Sequence, residues 1–134
     1  MADLRTLALT KVSSTLVDMK VTTKQTLFTV PTGKTFIPEM VVFRAATASL
    51  AGAVDSDLGG NVTLADDWIQ QITLNAMTAV TDQACVMQPD QAAGPPIVPV
   101  KKIIYAAGIA FGIKVNTVST GVASVYVDVF GYLY

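Results

Sequence analysis

Between Ala45 and Val100 the chain carries six aspartates, Asp55, Asp57, Asp66, Asp67, Asp82 and Asp90, and neither lysine nor arginine. Carboxylates gathered in this way can hold a divalent cation, or a pair of them can share general-acid and general-base duty. The run Asp55-Ser56-Asp57-Leu58-Gly59-Gly60-Asn61-Val62-Thr63-Leu64-Ala65-Asp66 matches part of a calcium loop, with acidic residues at its first and third positions, Gly60 at the sharp turn and Asp66 at the closing position. Gly59 stands where an Asp or Asn would ligate, the closing residue is not Glu, and no convincing helices flank the run. A solvated acidic loop is the better reading, with no metal held. Asp66 and Asp67 are adjacent but have no positioned partner, which is weak ground for acid–base catalysis. With Asp55, Asp57 and the neighbouring Trp68 they are expected to contact a binding partner. For Trp68 the better reading is a loop aromatic folded onto the body of the domain, with a partner anchor or a sugar-stacking platform as the alternative.

Composition narrows the chemistry further. There is no histidine, so no imidazole can serve a Ser-His-Asp or Cys-His nucleophile pair. Cys85 is the only cysteine; it cannot form an internal disulfide or build a zinc site, and beside Val86 it reads as a small buried hydrophobe. Neither a cofactor nor an enzymatic activity is expected. Nine Lys+Arg against ten Asp+Glu leave a net charge of −1, which removes the usual electrostatic drive toward nucleic acid. Lys101-Lys102 is too short for a basic patch and suits a strand end that protects a sheet edge. The start, Met1-Ala2-Asp3-Leu4-Arg5, has no continuous apolar core of a signal peptide. The most apolar run, Ile103 to Ile113, is 11 residues long, where a membrane-spanning helix needs about 20, so no membrane contact is expected.

The elements that must position these residues are strands. The chain holds 18 Val and 16 Thr, residues that favour a pleated surface over a helix. Alternation marks runs at Leu7 to Lys11, at Thr15 to Val21 (with Val17, Met19 and Val21 on one face), at Gln25 to Val30 and at Thr35 to Arg44. Pro31-Thr32-Gly33 supplies a tight reversal. Pro38 cannot donate to a ladder, so its part of the strand belongs at an edge or a bulge. Trp68 to Ala76 and Ala84 to Met87 read as strands, although Thr63 could cap a short helix starting at Leu64. Gly94 to Val100, with three prolines, must run extended. Lys101 to Tyr105, Ile109 to Thr117 and Val122 to Tyr132 are the last strands, the final two joined by a Val118-Ser119-Thr120-Gly121 hairpin turn. Seven to nine short strands with one long acidic excursion fit an all-β, antiparallel two-sheet sandwich spanning residues 1–134 as one domain.

In the closing strand Val125, Val127 and Val129 alternate with Tyr126, Asp128, Phe130, Tyr132 and Tyr134. If the valines meet the core, the four aromatics form a ladder on the opposite face. Such a face is either a subunit interface, where Tyr and Phe are enriched, or is covered by the acidic loop. Charged residues are only 14% of the chain, against about 25% in a typical soluble protein. That scarcity, with 51% hydrophobic residues, points to apolar surface covered by other subunits.

The stretch Lys24-Gln25-Thr26-Leu27-Phe28-Thr29-Val30-Pro31-Thr32-Gly33-Lys34-Thr35-Phe36-Ile37-Pro38 resembles a strand-turn-strand of small jelly-roll virion proteins of tailed bacteriophages. The ending Val125-Tyr126-Val127-Asp128-Val129-Phe130-Gly131-Tyr132-Leu133-Tyr134 is similar to the closing strand of the same proteins and of tumour-necrosis-factor-like trimers. The resemblance implies a jelly-roll-like sandwich and a capsid decoration or cement protein, located in the virion and assembled in the host cytoplasm. It also implies a homotrimer whose partner is the major capsid protein, and no catalytic residues. The alternative is a carbohydrate- or receptor-binding module of a phage tail or fibre, using Trp68 and the acidic loop.

Overall fold

The computed structural model describes residues 7–87 and 103–134. The charged start, Asp90, the proline-rich Gly94–Val100 stretch and the Lys101-Lys102 pair lie outside the described residues. Among the described residues there are nine strands and no helix: β1 (Thr10–Asp18), β2 (Gln25–Thr29), β3 (Thr35–Arg44), β4 (Asp55–Gly59), β5 (Ile69–Ile72), β6 (Gln83–Met87), β7 (Tyr105–Ala106), β8 (Ala110–Thr117) and β9 (Ser124–Leu133).

They form the expected all-β sandwich of two antiparallel sheets. Sheet A has the order β1-β9-β3-β6, with β7 also paired to β3; sheet B has the order β2-β8-β4-β5. The chain changes sheet at almost every connection, and only β4 and β5 are both consecutive in sequence and adjacent in a sheet. Aliphatic and aromatic residues facing inward make the core: Val17, Phe36, Val41, Phe43, Leu58, Phe111, Ile113, Val115, Val125, Val127 and Val129 are fully buried. Phe111 is its aromatic centre, with the rings of Trp68, Tyr105 and Phe36 centred 5.4, 5.7 and 6.0 Å away. Tilted and edge-on pairs of this kind add to the burial itself.

β3 carries Pro38 in the interior of sheet A, at a register shift between Pro38 and Met40 in its pairing with β9. On the other side β7 pairs only Thr35 and Phe36, and β6 pairs only Met40 to Arg44. The missing N–H therefore falls at the bulge, which is where a proline inside a sheet is tolerated. Directly opposite, Gly131 is required by close approach. A Cβ there would stand 2.3 Å from the Ile37 carbonyl oxygen and 2.4 Å from Phe36 Cε2.

Three expectations are corrected. The Leu7–Lys11 and Thr15–Val21 runs are one strand that ends at Asp18, which leaves Val21 beyond it and partly exposed. The helix after Thr63 does not form. The Asn61 side chain instead accepts from the backbone N–H groups of Thr63 and Leu64, and such local bonds compete with a helical turn. Residues 118–121 do not close a hairpin, because β8 lies in sheet B and β9 in sheet A. They arch from one sheet to the other. Ser119 is buried with its N–H on the Met19 carbonyl, the Thr120 N–H donates to Ala51 O, and Lys20 Nζ donates to the carbonyls of Ser119 and Thr120.

Candidate functional site

β9 is the second strand of sheet A, flanked by β1 and β3, and its alternation sorts its side chains as expected. Val125, Val127 and Val129 are wholly buried in the sandwich, while Tyr126, Asp128, Phe130 and Tyr132 fall on the outer face. Tyr134 lies just past the strand; it exchanges backbone hydrogen bonds with Thr35 at 2.7 and 3.1 Å, which extends the pairing with β3 by one residue.

Cross-strand register builds rows on this outer face. Leu16, Tyr126, Arg44 and Gln83 make one row, and Ser14, Asp128, Val42 and Cys85 the next. Lys11, Phe130, Met40 and Met87 make a third. Leu16 is 49% exposed, Met87 56% and Tyr126 38%. In the middle of these apolar side chains sits one neutralised charge pair. Arg44 Nε donates to Asp128 Oδ2 at 2.7 Å, Arg44 Nη2 donates to Asp128 Oδ1 at 3.3 Å and to Ser14 Oγ at 3.2 Å, and the guanidinium lies 5.0 Å from the Tyr126 ring centre. Burial pushes the Asp128 carboxyl up, but hydrogen bonds from Arg44 and Ser14 and the charges of Arg44 and Lys11 outweigh it and hold it below the usual carboxylate range. The same hydrogen bond raises the Arg44 guanidinium. Both groups remain charged at neutral pH, and their charges cancel locally.

The acidic residues do not make one loop. Asp55 and Asp57 are in strand β4, where Asp57 accepts from the Gln71 N–H at 2.9 Å and from Asn116 Nδ2 at 2.7 Å, tying β5 and β8 to β4. Asp66 and Asp67 lie in the β4–β5 connection. Asp67 Oδ1 accepts from the Asn61 N–H at 3.0 Å and bonds the Tyr105 hydroxyl, which in turn accepts from the buried Gly60 N–H at 3.2 Å. Burial, with the Asp67 charge beside it, holds the Tyr105 phenol well above its ordinary range. Lys24 closes the same loop through the carbonyls of Asn61 and Ala110; burial lowers its ammonium pKa, with Asp67 opposing. Among the described residues no group of acidic or thiol side chains has the geometry of a metal site.

Two residue assignments change. Trp68 lies in the core: it is 5% exposed, its backbone N–H donates to Leu58 O, and its ring packs on Phe111. Cys85 is exposed rather than buried, because β6 is an edge strand whose odd-numbered residues point outward. The Tyr105–Asp67–Gly60 network and the Arg44–Asp128 pair had no signal in local sequence, since each joins residues that only the folded topology brings together.

A cleft of about 390 Å³ opens between β5 and β6, with Ile69, Ile72, Leu74, Ala84, Val86 and Met87 among its lining residues. Gln70, Gln71, Thr73 and Cys85 line it as well, so its walls are mixed polar and apolar. No helix among the described residues is long and apolar enough to cross a membrane. Comparison with family models, with curated proteins and with solved structures gave no match.

Proposed function

We propose that this chain is a non-enzymatic structural protein of a bacteriophage virion, a capsid decoration or cement protein that assembles as a homotrimer and docks on the major capsid protein. The observation that carries the reading is the outer face of sheet A. It presents aromatic and aliphatic side chains in register across four strands, and its Arg44–Asp128 pair is already satisfied within the chain. Burying such a face against copies of itself removes apolar area from water at about 25 cal/mol per Å² and leaves no unpaired charge at its centre, where Asp128 already holds Arg44. The acidic β4–β5 connection belongs to sheet B, on the far side of the sandwich, so it does not cover the β9 aromatics.

The jelly-roll part of the reading draws support from strand order. With the two-residue β7 set aside, eight strands remain, and the sheets read first-eighth-third-sixth and second-seventh-fourth-fifth. Two interlocked Greek keys have this wrapping. Asp66 and Asp67, at the surface of sheet B's connection, offer negative charge to a basic shell surface, which gives register more than affinity. A glycan-binding reading loses its stacking platform with Trp68 in the core.

The test is mass and stoichiometry. Light scattering should give three times the chain mass for the native protein and a smaller mass for Tyr132→Ala/Tyr134→Ala. The protein should also co-purify with assembled capsids at a fixed ratio. A native chain of monomer mass that leaves capsids on washing would overturn the proposal.

A further inference from the structure

A two-sheet sandwich exposes four strand edges, here β1 and β6 in sheet A and β2 and β5 in sheet B. An exposed edge is a template for another strand unless something blunts it, and a bulge is one such device. Three of the four are blunted this way. β1 shifts register between Lys11 and Ser13, and β2 between Thr26 and Phe28. β5 shifts opposite Ser56 to Leu58, with Gln71 forced to a φ of +58°. β6 has no such shift: Gln83 to Met87 pair residue for residue with Arg44 to Met40. None of its five residues is charged or proline, and Gln83, Cys85 and Met87 are exposed. Among the described residues no strand pairs with its far side.

We propose that β6 pairs antiparallel with β6 of a second copy of this chain about a two-fold axis at Cys85, joining two sheets A into one. This contact is separate from the outer-face assembly and does not depend on it. The occupant follows from the edges themselves. A regular strand needs a regular partner, and among the described residues β6 is the one sheet edge without a register shift. The register is self-complementary. Cys85 meets Cys85 of the partner subunit, and the inward Ala84 and Val86 face each other and continue the apolar layer. Gln83 lies across from Met87, so no like charges are opposed. The cleft between β5 and β6 opens along this same side, with Val86 and Met87 of β6 among its lining residues.

The central pair makes the contact directly readable. In the full chain, copper-phenanthroline oxidation should give a disulfide-linked dimer through the exposed Cys85 thiol. It should form at least about tenfold faster than in a Cys85→Ser/Val62→Cys control, whose thiol sits exposed in the β4–β5 connection, away from both β6 and the outer face of sheet A. Gln83→Lys/Met87→Lys, which places lysines at four exposed positions around the axis, should slow the link to the control rate while Trp68 fluorescence stays native. Phe130→Ala/Tyr132→Ala should leave the rate unchanged, which separates this contact from the outer-face assembly. A link no faster than the control's overturns the proposal and leaves the edge to a strand of another protein. A link lost only in the Phe130/Tyr132 variant overturns it equally.

Discussion

Arg44 and Asp128, 84 residues apart in sequence, share two hydrogen bonds on the outer face of sheet A, at 2.7 and 3.3 Å. Asp128 is 5% exposed, so this pairing, with Ser14 beside it, is what allows a carboxylate to sit in the middle of an apolar sheet face. Because the Asp128 pKa is depressed in the folded chain, the unfolded chain takes up its proton first as pH falls. The stability it contributes is complete above the unfolded value of about 3.9 and is lost as pH drops through the lower folded value. Urea unfolding from pH 7 to pH 2 should show a loss of stability on the acid side that is reduced in Asp128→Asn. Arg44→Ala should lower the thermal midpoint by several degrees, and the double variant should cost less than the sum of the two singles.

Tyr105 behaves in the opposite sense. Its phenol is raised by burial and by Asp67, so the unfolded chain releases its proton first as pH climbs past about 10. Stability should be constant below that point and fall above it. Tyr105→Phe should remove this alkaline slope and, by leaving the buried Gly60 N–H without its acceptor, cost about 1–2 kcal/mol at pH 7.

Gly131→Ala forces a methyl group against a backbone carbonyl and the Phe36 ring, neither of which can yield cheaply. Chemical denaturation should show a loss of about 2–3 kcal/mol. Gly121→Ala, which meets nothing within 4 Å, should stay within about 0.5 kcal/mol of the native chain.

Trp68 is a core residue beside Phe111, and its truncation should act through stability. Trp68→Ala should cost about 3–5 kcal/mol in equilibrium unfolding. Trp68→Phe should keep the fold, and capsid association should be retained with it; loss of association in a fully folded Trp68→Phe would restore the residue to a contact role.

Strand identity was legible wherever a period of two ran unbroken. Thr35–Arg44 matches β3 to the residue, and the Val125–Val127–Val129 alternation correctly divides β9 into a core face and an aromatic face. Which sheet a strand enters was not legible at Val118–Gly121, because the turn residues suit both a hairpin and an arch. The choice is made by Lys20 and Ala51, far away in sequence, which capture the backbone of Ser119 and Thr120. The degree of burial of Trp68 and Cys85 is hard to read for a related reason. Each takes its exposure from its place in a sheet, the one beside the core-facing Phe111 and the other on an edge strand, and composition around them carries no record of that.

β9 stands between β1 and β3, which have no pairing with each other. During translation, then, β1 and β3 emerge well before the strand that joins them, and sheet A closes only when residues 124–133 follow. Until then the apolar β1 and β3 faces must be kept from premature association, and sheet A closes in one late step instead of growing strand by strand.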